Sequence, residues 1–245
     1  MEPDVLVIVP SRGRPERAAE MTEAFEATSV RSKLLVLLDD NDSKAPVYRV
    51  AARDRGVTDE TKIMWWIARQ NGFAPRLSHA ALAASTTGEY RAVVSWGDDH
   101  IPRTVGWDQK LLEALDVHSA KAGSGFAYPD DTIQEGRLPT ACLVTCDVVR
   151  AMGYLTPPGL GHLYVDDVWL TIGKALGIIK YVPEVIIEHK HWLKDGVLMD
   201  ETYQNGTSDT VWADDGRAWD EFRESGEMAL AIKRIARDLG LPDCD

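Results

Sequence analysis

GFAPRLSHAALAASTTGEYRAVVSWGDD, residues 72–99, carries the information that sets the architecture of this chain. Residues 77–87 are Ala-rich and read as helix, and Gly88 is a stop signal for it. Arg91–Trp96 is short, apolar and β-branched, the signature of a buried strand. A helix feeding a strand of this length is half of a βαβ unit. The strand then delivers Gly97, Asp98 and Asp99. Ligands of parallel sheets bind beyond the carboxyl ends of strands, so an acidic pair is predicted where a site belongs. Adjacent carboxylates repel unless a cation or a hydrogen-bonding ligand offsets the repulsion. A solvated Asp-rich turn is the blander reading.

The same alternation extends outward. Val5–Val9 reads as a buried strand broken by SRGRP, and Pro15 opens a helix with Met21, Ala24, Phe25 and Thr28 on one face. Lys33–Leu38 is a second buried strand, ending in Asp39-Asp40-Asn41-Asp42; a helix near 46–55 and a strand near 62–66 follow. Downstream, a helix is expected over 107–115, a strand over 141–144 and a helix ending at Gly153. The loop TPPGLGH precedes Asp166-Asp167, which open a helix through Leu176, and Tyr181–Glu188 is a strand feeding His189. Residues 195–215 are expected to be a polar loop, and 227–239 an amphipathic helix. The fold class that follows is α/β, a Rossmann-like, mostly parallel central sheet flanked by helices, with a less regular C-terminal region.

At 245 residues the chain can bury a substantial core, and its 44% hydrophobic and 27% charged residues are ordinary for a globular protein. No apolar run is long enough to span a bilayer. Acidic residues follow Met1, with no secretory pattern, so no membrane association and a cytoplasmic location are expected. Cys142, Cys146 and Cys244 lack metal-site or disulfide spacing. Net charge is -12, concentrated at the end: residues 195–245 carry thirteen acidic and five basic side chains, against 26 and 22 before them. A protein that coats duplex nucleic acid is normally basic, so that class is disfavoured.

Three stations therefore stand out: Asp98-Asp99, Asp166-Asp167, and His189 with His191 at i, i+2. Carboxylates and an imidazole at strand and helix ends suit a divalent cation, with one carboxylate left as a base. Asp166 read blandly is a helix N-cap, which would put Asp167 in the first turn near the positive dipole end. Trp96, Trp169 and Trp192 flank the stations and, with His191, are candidates for stacking on a sugar or an acceptor; core packing is the alternative for the indoles.

The order of motifs resembles a family 2-type glycosyltransferase of the GT-A fold. VLVIVPSRGRPERA is similar to that family's opening strand and donor loop, LLVLLDDNDS to its second strand and acidic turn, and residues 72–99 to the stretch ending in its metal motif. The resemblance spans about residues 4–192. It implies donor contacts from Pro10, Ser11, Arg12, Arg14, Asp39, Asp40, Arg76 and Asp98, and a Mn²⁺ or Mg²⁺ ion held by Asp99 and His189. It further implies a nucleotide-sugar donor, a UDP-sugar first among them, and an inverting transfer with Asp167 as base. GDD departs from a strict DxD, which leaves open whether Asp98 or Asp99 ligates the ion, and VDD departs from Glu-Asp, which leaves Asp166 open as the base. Residues 1–194 would form the core, with 1–100 the nucleotide-sugar half and 101–194 the acceptor half. Residues 195–245 would be an acidic loop and a C-terminal helix packed on it.

A compact chain with HLYVDDVWL and IIEHKHW is also similar to bacteriophage-encoded glycosyltransferases, some of which modify hydroxymethylated pyrimidines. Hydroxymethylcytosine in DNA is therefore the leading single acceptor expected, with a saccharide, lipid or protein hydroxyl as the alternative. A sugar nucleotidyltransferase would show a Gly-rich GxGxR-type loop, which SRGRPER lacks. A non-catalytic sugar- or nucleotide-binding module would have no need of Asp167.

Overall fold

The structure is a computed structural model that describes residues 4–69, 72–191 and 199–242. In chain order the elements are β1 (Val5–Ser11), α1 (Pro15–Thr28), β2 (Ser32–Asp39), a 3₁₀ turn at Ala45–Val47, α2 (Tyr48–Asp54), β3 (Ile63–Ala68), α3 (Phe73–Thr87), β4 (Ala92–Ser95), β5 (His100–Pro102) and α4 (Trp107–His118). They continue with β6 (Phe126–Asp130), β7 (Leu143–Thr145), α5 (Cys146–Met152), α6 (Val165–Leu176), β8 (Ile179–His189), α7 (Glu201–Gly206), α8 (Asp209–Glu224) and α9 (Glu227–Leu239).

One eight-stranded sheet runs in the order β3-β2-β1-β4-β7-β6-β8-β5. The first four strands are parallel, because the helices between them return the chain to the same edge. β7 then runs antiparallel to both β4 and β6, while β6 and β8 are parallel. The continuous apolar runs of β1 and β2 are explained by cover on both faces. Leu6, Ile8 and Val93 join one buried cluster with α3, α5, α6 and α9, whereas Val5, Val7, Val9 and Val94 join another with α1 and α4.

β1 lies between β2 and β4, so strand order reverses there, and a crevice opens beyond the ends of β1 and β4. The sequence-derived α/β class and mostly parallel sheet are what the chain adopts. Two expectations need correction. Much of the segment read as polar loop is helical: α7 and α8 occupy most of 201–224, capped by the Asp200 side chain on the Tyr203 N–H and the Ser208 hydroxyl on the Val211 N–H. α8 buries only Asp215 and Phe222, so it lacks a broad apolar stripe, and its caps were its main sequence signal. Asp166 is not an N-cap either: that position is Tyr164, at φ 62°, and Asp166 lies in the first turn of α6. Among the described residues no helix is long and apolar enough to cross a membrane. Cys142 and Cys146 are buried free thiols, and Cys244 lies outside the described residues.

Candidate active site

A cleft of about 800 Å³ opens at the switch point, within the size range of small-ligand sites. Pro10, Ser11, Arg12, Arg14, Asp39, Arg76, Trp96, Asp98, Asp99, Asp166, Trp169, His189 and His191 all line it. Asp40 is exposed and Asp167 half-buried; neither is among the lining residues. Trp192 lies outside the described residues.

The floor is built by strand ends. Ser11, last in β1, donates its hydroxyl to Asp98 Oδ2 at 2.5 Å, and Arg14 Nη1 reaches Asp98 Oδ1 at 3.2 Å. Burial and then the neighbouring Asp99 push the Asp98 carboxyl up to about 6, against the pull of Arg14. Asp39, last in β2, receives Arg12 Nη1 at 2.8 Å and the buried Arg76 guanidinium, which also donates to the Leu38 carbonyl at 2.8 Å. Two arginines and a carboxylate are thus fixed side by side at the end of one strand.

The second wall depends on a strand pair that sequence reading missed. β5, only three residues long, pairs antiparallel with β8 and sets His100 opposite His189. Their rings stack with centroids 4.1 Å apart. His189 Nε2 lies 3.6 Å from Asp99 Oδ1, and His189 Nδ1 lies 3.8 Å from Asp131 Oδ2. Burial disfavours a charged imidazole, yet the two carboxylates hold His189 at about 9. Burial would also raise Asp99, but hydrogen bonds from His100 and His189 hold it well below the usual carboxylate range. Asp131 is itself held low, because His189, Thr140 and the Ile133 and Gln134 N–H groups together outweigh its burial. Asp131 and His100 carried no strand-end signal of their own; only the β5–β8 register reveals them.

Asp99, His100 and His189 offer one carboxylate and two imidazole atoms within 4.8 Å of one another, a donor set that suits a divalent cation. Among the described residues the buried His100 Nε2 has no hydrogen-bond partner, an exception that a bound cation would account for. Asp131 behind His189 supplies the outer carboxylate that metal-binding histidines usually have.

Over this pair lies α7. Tyr203 donates its hydroxyl to Asp99 Oδ2 at 2.5 Å, Arg14 stacks 4.0 Å above the Tyr203 ring, and Asp200 receives Arg14 Nε at 2.9 Å. His191 packs edge-on against His189 and Tyr203, and burial pulls its pKa down to about 4. Trp96 and Trp169 are each 1% exposed. Trp96 lies against Trp107 with ring centroids 4.7 Å apart, and Trp169 Nε1 donates to the Leu155 carbonyl at 2.8 Å. Both indoles are core residues under the cleft, with no face open for stacking.

Asp166 enters the cleft from α6. Burial, then Asp167, pushes its pKa up to about 7, with His189 opposing. The turn before it is clamped: Asp215 on α8 accepts the N–H groups of Gly161, His162 and Leu163 at 2.6, 2.8 and 2.6 Å.

This architecture is the fold of GT-A glycosyltransferases. Similar solved structures include residues 1–349 of S. aureus TarS in complex with UDP-GlcNAc (12% identity, TM-score 0.55, 96% of this chain and 71% of that one). Another is glucosyl-3-phosphoglycerate synthase from Mycobacterium tuberculosis with Mn²⁺, UDP and phosphoglyceric acid (12% identity, TM-score 0.51, 98% and 80%). At such identities the likeness speaks for the fold. No protein-family model matches the chain, and no curated protein matches it.

Proposed function

We propose that this protein is a glycosyltransferase that moves a sugar from a UDP-sugar to a hydroxyl acceptor, with inversion and with a divalent cation. One observation carries the reading. A cation-type cluster, Asp99 with His189 at 3.6 Å, shares a switch-point cleft with a separate carboxylate, Asp166, whose pKa is near neutrality. UDP and Mn²⁺ are bound by the structurally similar synthase, which makes them the first ligands to test.

Asp99 and His189 would hold Mn²⁺ or Mg²⁺, and the ion would neutralise charge on the departing diphosphate. Asp98, oriented by Ser11 and Arg14, would accept hydrogen bonds from ribose hydroxyls. Asp39, with Arg12 and Arg76, is suited to the nucleobase and ribose. The acceptor oxygen attacks the anomeric carbon from the side opposite the diphosphate; a new C–O bond forms as the bond to the leaving oxygen breaks. Asp166 takes the hydroxyl proton. A base with a pKa near 7 combines availability with a useful driving force. Asp167 does not line the cleft and is not assigned this role here, so the proposed base lies one residue before the one the resemblance implies.

The acceptor side weighs against hydroxymethylated DNA. Residues 201–224 carry seven acidic and two basic side chains and border the cleft, so a duplex would bring phosphates against carboxylates. The test is a panel of nucleotide sugars with Mn²⁺, read as metal-dependent release of UDP and as transfer to added acceptors. UDP-sugar turnover is expected; failure of every donor to bind or turn over would remove the glycosyltransferase reading.

A further inference from the structure

The two oxygens of Asp99 face different partners. Oδ1 turns to the imidazoles, 3.1 Å from His100 Nδ1 and 3.6 Å from His189 Nε2. Oδ2 turns to α7 and accepts the Tyr203 hydroxyl at 2.5 Å. Gly97 makes room for this orientation, because a Cβ there would collide with Asp99 Oδ1. With Oδ2 engaged, Oδ1 is the oxygen left to face a cation beside the imidazoles.

The Tyr203 hydroxyl has one hydrogen and, among the described residues, two acceptors in reach: Asp99 Oδ2 and the Lys190 carbonyl at 3.0 Å. Arg17 Nη1 donates to the same hydroxyl oxygen at 2.9 Å, so the oxygen accepts there and keeps its own hydrogen for one other partner. An ionised carboxylate accepts more strongly than a neutral carbonyl, and the hydrogen therefore goes to Asp99. Arg17, Tyr203 and Asp99 form a chain in which each hydrogen bond polarises the next. The ring is fixed independently of its hydroxyl. Tyr203 is 7% exposed, carries the Arg14 guanidinium 4.0 Å and that of Arg17 5.1 Å from its ring centroid, and meets His191 edge-on. Its backbone N–H is capped by Asp200, and the neighbouring Thr202 hydroxyl donates to the Arg12 carbonyl at 3.2 Å. A phenylalanine would keep the ring contacts and lose only the hydroxyl.

We propose that Tyr203 is a positioning residue for the cation of this site. Its hydroxyl, directed by Arg17, holds Asp99 Oδ2 and leaves Oδ1 to meet the ion. Carboxylates that ligate metals are themselves held by outer hydrogen bonds, and losing such a partner typically costs about 10–100-fold in metal affinity. α7 thereby completes the cation site from outside the strand ends that supply its ligands. This inference rests on the cation-dependent glycosyltransferase reading.

The experiment titrates Mn²⁺ into the full chain and follows the electron paramagnetic resonance signal of the free ion, with circular dichroism to show that each variant folds. Tyr203→Phe should bind Mn²⁺ about 10–100-fold more weakly than wild type. Arg17→Gln frees the hydroxyl to turn to the Lys190 carbonyl and should weaken binding several-fold. The double variant should bind no more weakly than Tyr203→Phe alone, because Arg17 acts through the hydroxyl that phenylalanine lacks. A ring that served only as cover would leave Mn²⁺ affinity unchanged in Tyr203→Phe and lower it in Tyr203→Ala, and that result would overturn the proposal. Tighter binding in Tyr203→Phe would also overturn it, by making the hydroxyl a competitor of the ion, as would additive losses in the double variant. Absence of Mn²⁺ binding by wild type would defeat the cation reading and the proposal with it, whereas an undiminished Tyr203→Phe defeats the positioning role alone.

Discussion

The two walls of the cleft are made of opposite materials. The wall proposed to hold the donor, the donor wall, stands on the ends of β1, β2 and β4, whose side chains are fixed by a sheet buried on both faces. Its arginines, Arg12, Arg14 and Arg76, are already paired with Asp39 and Asp98. The wall proposed to face the acceptor, the acceptor wall, stands on helices, α6, α7 and α8, and its surface is acidic and aromatic. Strand ends hold groups to a fixed geometry, as holding a nucleotide would require. Helices laid over the cleft can change their exposed residues without disturbing the sheet. The contrast predicts that donor-side changes abolish turnover generally, while acceptor-side changes act on one substrate at a time.

The largest effect is expected at the meeting point of the walls. Asp166→Asn removes the proton acceptor and should lower kcat by about 10²–10⁴-fold, typical for loss of a general base, with UDP affinity retained. Asp167→Asn should leave kcat within a few-fold. A reversed pattern would return the base to Asp167. In wild type, activity should rise with pH through about 7, because the ionised carboxylate is the active form. Stability moves the other way. The folded pKa lies above the unfolded one, so the protonated carboxyl favours folding, and that contribution is lost as pH rises to about 7. Asp166→Asn should therefore raise Tm at pH 8 and leave it nearly unchanged at pH 4.

The donor wall was largely legible in the sequence. Ser11, Asp39 and Asp98 each end or follow an apolar run, and the rule for parallel sheets puts such residues at the crevice. The acceptor wall was not. β5 is three residues long and cannot announce itself by alternation, so the pairing that brings His100 to His189 was invisible. Asp131 acts through a turn whose partners come from Thr140 and β8. Tyr203 and Asp215 lie on helices too polar to be read as helices, although Asp200-Glu201 and Ser208-Asp209 carried the cap signature. The indoles misled for a related reason: Trp96 and Trp169 sit near the stations in sequence because the core ends there.

Next in size is Asp131→Asn, which tests whether the two walls share the cation cluster through its outer layer. Asp131 faces His189 Nδ1 while His189 Nε2 faces Asp99. Replacing an outer-layer carboxylate typically costs 10–100-fold in metal affinity. Mn²⁺ affinity, measured by the electron paramagnetic resonance signal of the free ion, should fall in that range. An unchanged affinity would mean that His189 is oriented by the β5–β8 register alone.

The smallest effect tests whether α8 does more than cover the core. Asp215 is 3% exposed and accepts three successive backbone N–H groups through two oxygens, in the turn that leads through Tyr164 to Asp166. An asparagine keeps the shape but replaces one acceptor oxygen with an NH₂ group, which faces donors it cannot accept. Leaving a buried donor unmade costs about 1–3 kcal/mol, which for a chain of this size lowers Tm by roughly 2–12 °C. If Asp215 only held α8 in place, catalysis at a temperature well below Tm would be untouched. Because the clamped turn sets where α6 begins, kcat should instead fall several-fold at such a temperature, with UDP affinity unchanged. A Tm loss with no change in kcat would separate the acceptor wall from the chemistry and confine its role to holding substrate.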